Sequence, residues 1–282
     1  MAEVRKAAVA GSWYPGTASA LSDAVDRHLS RASADLPADV VDVVAIVAPH
    51  AGLMYSGLVA AHAYRLLRGR TFDVAVLVGP SHFVGFDGVA APGVRGFATP
   101  FGITPVDVDI VDALIQTEVV SERAAAHARE HSLEMQLPFL SQILPNVPIV
   151  PLVMGRQTSE TATALAGALA SVLRRRRALL VASTDLSHYH DAATASRLDG
   201  VVIDHVRKLD ADGLQRALDL QPEHACGGGP TVAVMRAAKA LGARDAAVLA
   251  YGDSGDVSGD KSNVVGYMAA VMGTFSDRRE GS

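Results

Sequence analysis

The sequence of 282 residues has a single cysteine, Cys226, so the chain cannot form a disulfide bond within itself. Disulfide bonds are common in secreted proteins and rare in the reducing cytoplasm. The opening residues 1–6 lack the longer apolar stretch and cleavage site of a secretory signal peptide. We therefore expect a cytoplasmic protein.

The sequence also lacks long apolar runs, a strong charge imbalance and internal repeats. No stretch approaches the roughly 18 apolar residues that a membrane-spanning helix needs. The net charge of −5 gives no electrostatic reason to expect nucleic acid or an anionic membrane as a partner. No repeat or low-complexity linker divides the chain, so we expect residues 1–282 to form one domain.

Apolar, strand-like runs alternate with segments of helical spacing along the chain. Unbroken runs of apolar residues are typical of strands that are buried on both faces of a parallel sheet. We therefore predict an α/β fold with a mixed, mostly parallel sheet and helices on both faces. Strands are predicted at 43–48, 74–78, 147–153, 178–182, near 246–251 and near 264–272, and helices at 57–68, from about 107, 132–143, 159–174, 194–209, 212–220 and from 230.

Three predicted strands lead into short polar loops that contain His50, His82 and His188. Ligands of open α/β sheets bind just beyond the carboxyl ends of the strands. Three histidines in this context indicate a metal site or an acid–base site. The alternative for each is a loop histidine that only forms a structural hydrogen bond.

Cys226 precedes three glycines and Pro230, where a helix is predicted to begin with proline in its first position. Exposed glycine N–H groups and the positive end of the helix dipole are expected to lower the pKa of the thiol. The alternative is a small buried side chain without chemistry. Together with His50 and His82, the thiolate would form a two-nitrogen, one-sulfur set that suits iron, copper or zinc.

Four motifs resemble those of the Memo family, and they occur in the same order along nearly the whole chain. They are PHAGLMYSG at 49–57, GPSH at 79–82, EHSLEMQLPF at 130–139 and STDLSHY at 183–189. The opening GSWYP at 11–15 and CGG at 226–228 extend the match. The Memo family is structurally similar to the class III extradiol ring-cleaving dioxygenases, whose non-haem Fe(II) is held by two histidines and a glutamate.

The resemblance implies a metal site and a base. His50 and His82 match the two histidine ligands, and His188 matches a catalytic base of the dioxygenases. Cys226 falls where those enzymes have the glutamate, as it does in Memo relatives. The implied metal is Fe(II), with copper as the alternative. Because a thiolate changes the donor strength and is itself oxidisable, ring cleavage does not follow from the fold.

Neighbouring residues of the motifs complete the predicted site. His131 and Glu134 are three apart on a predicted helix and would share one face, where they either line a pocket or complement the helix dipole. Asp185 could fix the tautomer of His188. The predicted catalytic residues are therefore His188, Asp185 and His131, and the predicted substrate pocket includes Tyr55, Glu134 and Tyr189.

Other features of the sequence favour structural roles. The loop at 252–260 resembles a calcium loop in composition but lacks its alternation of acidic residues and its closing glutamate. Trp13 is expected to be a packing anchor in the N-terminal region rather than part of a cofactor site. Structural or surface roles are also expected for His28, His62, His127, His205 and His224.

Two functions remain open at this point. The first is oxygen-linked or redox-linked chemistry on an unknown small molecule, and the second is a non-catalytic binding or metal-handling protein that uses the same pocket. Prokaryotic relatives are associated with a radical-SAM protein and a third small protein, so the resemblance also implies such partners. Substrate-dependent O₂ uptake separates the two functions.

Overall fold

The computed structural model describes residues 4–32 and 40–276, so residues 1–3 of the opening segment lie outside the described part of the chain. The strands are β1 (Val4–Arg5), β2 (Val40–Ala48), β3 (Val74–Pro80), β4 (Val89–Ala91), β5 (Gly96–Thr99), β6 (Gly102–Pro105), β7 (Val120–Glu122), β8 (Ile149–Met154), β9 (Ala178–Ser183), β10 (His188–His190), β11 (Asp245–Asp253) and β12 (Val264–Phe275). The helices are α1 (Ala18–Arg31), α2 (Leu53–Arg65), α3 (Val108–Ile115), α4 (Ala124–Ala128), α5 (Leu137–Ile143), α6 (Ser159–Leu173), α7 (Ala192–Arg207), α8 (Ala211–Leu220), α9 (Gly228–Ala240) and α10 (Gly255–Ser258). Two short 3₁₀ turns cover Glu134–Gln136 and Pro222–His224.

A mixed sheet forms the centre of the fold. Its strand order is β10-β12-β2-β9-β3-β8-β4-β7, and β11 pairs with β12. The central strands β2, β9, β3 and β8 run parallel, whereas β12 is antiparallel to β2. A small second sheet contains β1, β5 and β6. The predicted α/β fold with a mixed sheet is confirmed, and the parallel strands are concentrated at the centre of that sheet.

The core strands are buried because helices pack against both faces of the sheet. Helix α9 packs on β2, β9 and β3 and is covered by α6, while α2 packs on β2 and β12 and contacts α1 and α5. Every residue of β3, β8 and β9 is buried. This double coverage explains why these strands are unbroken apolar runs rather than alternating sequences.

Several helix ends differ from the predicted ones. Helix α2 begins at Leu53, directly after the Gly52 cap and four residues before the predicted start. Helix α5 begins only at Leu137, because a 3₁₀ turn at Glu134–Gln136 comes first. Pro230 is the third residue of α9 rather than the first. Proline is tolerated there because backbone N–H groups in the first helical turn have no partner within the helix.

The order of the parallel strands determines where the loops that carry the predicted site residues meet. β2, β9 and β3 are neighbours in the sheet and point the same way. The loops that follow them therefore leave the sheet at one edge, and they contain His50, Asp185 and His82. This edge is the place at which open α/β sheets bind ligands.

The features expected to be structural have structural contacts. His127 and His224 are buried, and His205 Nδ1 lies 3.0 Å from the Asp210 carboxylate. Directly after the loop at 252–260, Lys261 Nζ lies 2.8 Å from Asp253 Oδ1 and 2.5 Å from Asp256 Oδ1. The Lys261 ammonium group thus pairs with these carboxylates in the place where a calcium ion would bind. Within the described residues, no helix is both long and apolar enough to cross a membrane.

The buried His127 makes the stability of the fold dependent on pH. Its Nε2 donates to the backbone carbonyl of Ala90 in β4 at 2.9 Å. Burial lowers the pKa of His127 from 6.5 to about 4. As the pH falls through 6.5, the unfolded chain binds a proton at this histidine and the folded chain does not, so stability decreases.

We predict that His127→Gln weakens this pH dependence, because glutamine can donate to Ala90 but cannot be protonated. Between about pH 7.5 and pH 5 the wild-type protein should lose about 2 kcal/mol more stability than the variant. Urea unfolding at both pH values measures the difference. Parallel losses in the two proteins would contradict the prediction.

Candidate metal centre

Three predicted ligands converge at the edge of the sheet. Donor atoms of His50, His82 and Cys226 all lie within 4.8 Å of one another. His50 Nε2 is 3.2 Å from Cys226 Sγ, and the rings of His50 and His82 are 5.2 Å apart at 79°. Residues that are 32 to 176 positions apart in the sequence thus form one compact group.

His50 is held by the loop after β9. Its backbone N–H donates to Asp185 Oδ1 at 2.7 Å, and its Nδ1 lies 2.9 Å from Ser183 Oγ. The side chain is buried. Burial and the nearby His82 and His131 lower the pKa of His50 well below its usual value. A neutral imidazole is the form that binds a metal ion.

His82 is held by the carboxylate of Glu130. Its backbone N–H donates to Glu130 Oε2 at 2.7 Å, and its Nδ1 lies 2.9 Å from Oε1. Oε1 also accepts from the backbone N–H groups of His131 and Ser132. Burial raises the pKa of Glu130, but these hydrogen bonds outweigh it and lower the pKa to about 2. The ionised carboxylate thus accepts a hydrogen bond from Nδ1–H, which leaves the lone pair of His82 Nε2 free to bind a metal ion.

Cys226 is half-buried in the loop just before α9. Its backbone N–H donates to the Asp185 carbonyl, and the Asp185 N–H donates to Sγ at 3.3 Å. The N–H groups of Gly227 and Gly229 donate to side-chain oxygens of other loops rather than to the sulfur. Burial and the nearby Asp185 carboxylate raise the pKa of Cys226. The predicted lowering of this pKa is therefore wrong for the chain without a bound metal.

A second group of potential ligands consists of His82, Glu130 and His131. It is a poorer candidate, because hydrogen bonds from His82, His131 and Ser132 already engage both carboxylate oxygens of Glu130. The His131 ring stacks on His82 with centroids 4.4 Å apart. Burial and His82 lower the pKa of His131 to about 4. His131 thus forms an uncharged wall of the site.

Trp13 extends this wall, which the sequence did not reveal. Its ring centroid lies 4.3 Å from that of His131, and the residue is 38% exposed. Packing was its expected role, and the structure places that packing against a site residue. Its position in the GSWYP segment, near the start of the chain, gave no local sign of this contact.

His188 lies in β10, which pairs with β12 beside the site. Burial lowers its pKa, and a backbone hydrogen bond to Leu186 partly opposes this. Asp185 does not contact this ring: its carboxylate accepts from the backbone of His50 and Ala51. The Asp185 carboxylate is therefore not the group that orients the His188 ring. Asp185 instead positions the His50 loop.

Asp185 is buried without a cationic partner. Burial raises its pKa to about 7, although the two backbone hydrogen bonds favour the charged form.

The two predicted pocket tyrosines lie next to the site in sequence. Tyr55 is in the first turn of α2 and partly exposed, and Tyr189 is 75% exposed with a left-handed backbone at φ 63°.

Glu134 does not line the pocket that the sequence suggested. It is completely buried, and each carboxylate oxygen accepts two hydrogen bonds. Oε2 accepts from Arg5 at 2.6 Å and from the Ala8 N–H, and Oε1 accepts from Tyr14 at 2.7 Å and from the Val9 N–H. It also precedes α5, so it shares no helical face with His131. Its contacts anchor the N-terminal segment.

The fold and the three converging ligands define an α/β protein with a candidate non-haem metal site. The sequence matches the Memo-like protein family over residues 5–271, and the chain belongs to the Memo family. A MEMO1 family protein of Methanosarcina mazei is 37% identical over 273 residues, which cover 96% of this chain and 99% of the relative. A MEMO1 family protein of Sulfolobus acidocaldarius is 39% identical over 233 residues, covering 80% of this chain and 81% of the relative.

A solved structure shares the fold. It is the crystal structure of the uncharacterized protein JW3007 from Escherichia coli K12, with a TM-score of 0.57 and 15% sequence identity. The similarity covers 83% of this chain and 100% of that one.

The contacts of Glu134 predict a large effect on stability. Glu134→Ala should lower the free energy of unfolding by about 3–5 kcal/mol, because it leaves the Arg5 guanidinium buried without its partner. Urea unfolding measures the loss. Glu160→Ala in the exposed first turn of α6 is the control and should cost under about 1 kcal/mol. A change at Glu134 no larger than the control would contradict a structural role.

Proposed function

We propose that the protein binds one non-haem metal ion through His50 Nε2, His82 Nε2 and Cys226 Sγ. The observation that carries this proposal is the convergence of the three donors within 4.8 Å. The second nitrogen of each ring supports it, because His50 Nδ1 and His82 Nδ1 both have hydrogen-bond partners. In histidines that bind a metal ion, the other ring nitrogen usually donates a hydrogen bond to a neighbouring group.

The donor set fits a metal of intermediate softness. Two imidazoles and a thiolate suit iron, copper or zinc and are poor ligands for magnesium or calcium. We propose Fe(II), with copper as the alternative, on the strength of the family's similarity to the extradiol dioxygenases. Three protein ligands leave coordination positions open for a small molecule and for O₂.

The proposed activity is oxygen-linked or redox-linked chemistry on a small molecule. The bound metal would supply the Lewis acidity and the redox capacity of the site. His188 would accept a proton from a hydroxyl group of the substrate, and its lowered pKa keeps the ring neutral as a base must be. The rings of His131 and Trp13, tilted by 52° to each other, form an aromatic wall that would orient the substrate.

A radical-SAM protein is the proposed partner, and the cytoplasm is the proposed location. Membership of the Memo family supports the partner, and the single cysteine supports a reducing compartment.

Substitution of each ligand tests the metal site. His50→Ala, His82→Ala and Cys226→Ser should each abolish tight metal binding and leave the fold intact, because loops at a sheet edge contribute little core packing. Anaerobic purification with elemental analysis gives the metal content, and circular dichroism checks the fold. His131→Ala is the matched control and should retain the metal. Retention in Cys226→Ser with loss in His131→Ala would place the ion in the other group.

Oxygen uptake by the metal-loaded protein tests the chemistry. With a substrate that supports O₂ uptake by the wild-type protein, His188→Gln should retain the metal. It should reduce the rate of O₂ uptake by about 10²–10⁴-fold, the usual contribution of a positioned acid–base group. Loss of metal in this variant would make His188 a ligand. Tight metal binding with no O₂ uptake across a panel of hydroxylated aromatic and aliphatic compounds would instead indicate a binding or metal-handling protein.

A further inference from the structure

A hydrogen-bond chain of four buried side chains leads away from His50 into the core. Ser183 Oγ lies 2.9 Å from His50 Nδ1, and Gln136 Nε2 lies 2.7 Å from Ser183 Oγ. Gln136 Oε1 accepts from the Tyr64 hydroxyl at 2.7 Å. All four side chains are buried, and the Tyr64 ring stacks on Phe139 at 5.1 Å. No member of the chain carries a formal charge when His50 is neutral.

Two backbone carbonyls determine the direction of every hydrogen bond in this chain. Gln136 Nε2 lies 3.1 Å from the Pro49 carbonyl, and a carbonyl can only accept. The amide nitrogen of Gln136 must therefore face Pro49 and Ser183, and its oxygen must face Tyr64. In the same way, Ser183 Oγ lies 2.6 Å from the Ser132 carbonyl, so the single hydroxyl proton of Ser183 is donated there.

The proton of Ser183 is thus already used, and both its lone pairs must accept. One accepts from Gln136 Nε2, and the other faces His50 Nδ1. Without a proton on Nδ1, two lone pairs would oppose each other at 2.9 Å in a buried site. The opposite ring nitrogen, Nε2, faces Cys226 Sγ at 3.2 Å, where a neutral thiol can donate to it.

We propose that Ser183, held in direction by Gln136 and the Ser132 carbonyl, is a positioning residue that keeps His50 in the Nδ1–H tautomer and so presents Nε2 as a lone pair for the metal. The consequence for metal binding rests on the proposed function, whereas the tautomer itself exists without metal. His82 reaches the same tautomer through the carboxylate of Glu130. The two ligand histidines therefore differ in having a neutral and an anionic partner.

Nitrogen NMR of metal-free protein labelled with [¹⁵N]histidine tests the tautomer directly. Long-range proton–nitrogen correlations distinguish a protonated ring nitrogen from one with a lone pair, and the signals that disappear in His50→Ala identify His50. At neutral pH the wild-type protein should show a protonated Nδ1 and an unprotonated Nε2. A protonated Nε2 of His50 in the wild-type protein overturns the proposal, whether or not Ser183→Ala folds.

Two variants separate positioning from general stability. Ser183→Ala should give a mixture of His50 tautomers and a fall in metal affinity of about 10–100-fold, the usual effect of losing the partner of a ligand histidine. Tyr64→Phe is the matched control, because it removes one buried hydroxyl from the same hydrogen-bond chain while the Pro49 carbonyl still orients Gln136. It should destabilise the fold yet leave the tautomer and the metal affinity unchanged.

The outcomes distinguish this inference from the proposed metal site. An unchanged tautomer in folded Ser183→Ala, or equal changes in Ser183→Ala and Tyr64→Phe, overturns the positioning role. Titration with Fe(II) under anaerobic conditions, and separately with copper, measures affinity. If the wild-type protein binds neither ion but shows the expected tautomer and its loss in Ser183→Ala, the metal site fails and the positioning role stands.

Discussion

One residue, Asp185, ties together the loops on which the site depends. Its carboxylate accepts from the backbone of His50, its carbonyl accepts from the Cys226 N–H, and its own N–H donates to the Cys226 sulfur. Because it follows β9, which lies between β2 and β3, it sits at the centre of the edge where the loops meet. A short polar residue after the middle strand thus ties the His50 loop to the Cys226 loop.

The shape of the fold was predictable where apolar runs and motifs coincide. The runs before His50, His82 and Ser183 are strands, and their parallel order makes the edge that the resemblance implied. Helix α1 was not predicted. Glu134 was placed in the pocket because local spacing cannot reveal Arg5, which lies 129 positions away. The acidity of Cys226 was misjudged because the sequence does not show that other loops take the glycine N–H groups.

The two histidines are supported in electrically different ways. Glu130 places a full negative charge behind His82, while a neutral hydroxyl lies behind His50. An anionic partner makes a bound imidazole a stronger donor than a neutral partner does. The charges around a bound ion would therefore be uneven, with more electron density arriving from the His82 side and from the thiolate than from His50. This unevenness arises outside the ligands, in residues that never touch the ion.

The anchoring of the N-terminal segment by Glu134 affects the order in which the site is completed. The wall residue Trp13 belongs to the segment anchored by Glu134, and Glu134 follows Arg5 by 129 residues in the sequence. Contacts between such distant positions form only after a large loop has closed, which costs chain entropy. The segment that contains Trp13 therefore cannot make these contacts until the middle of the chain is available.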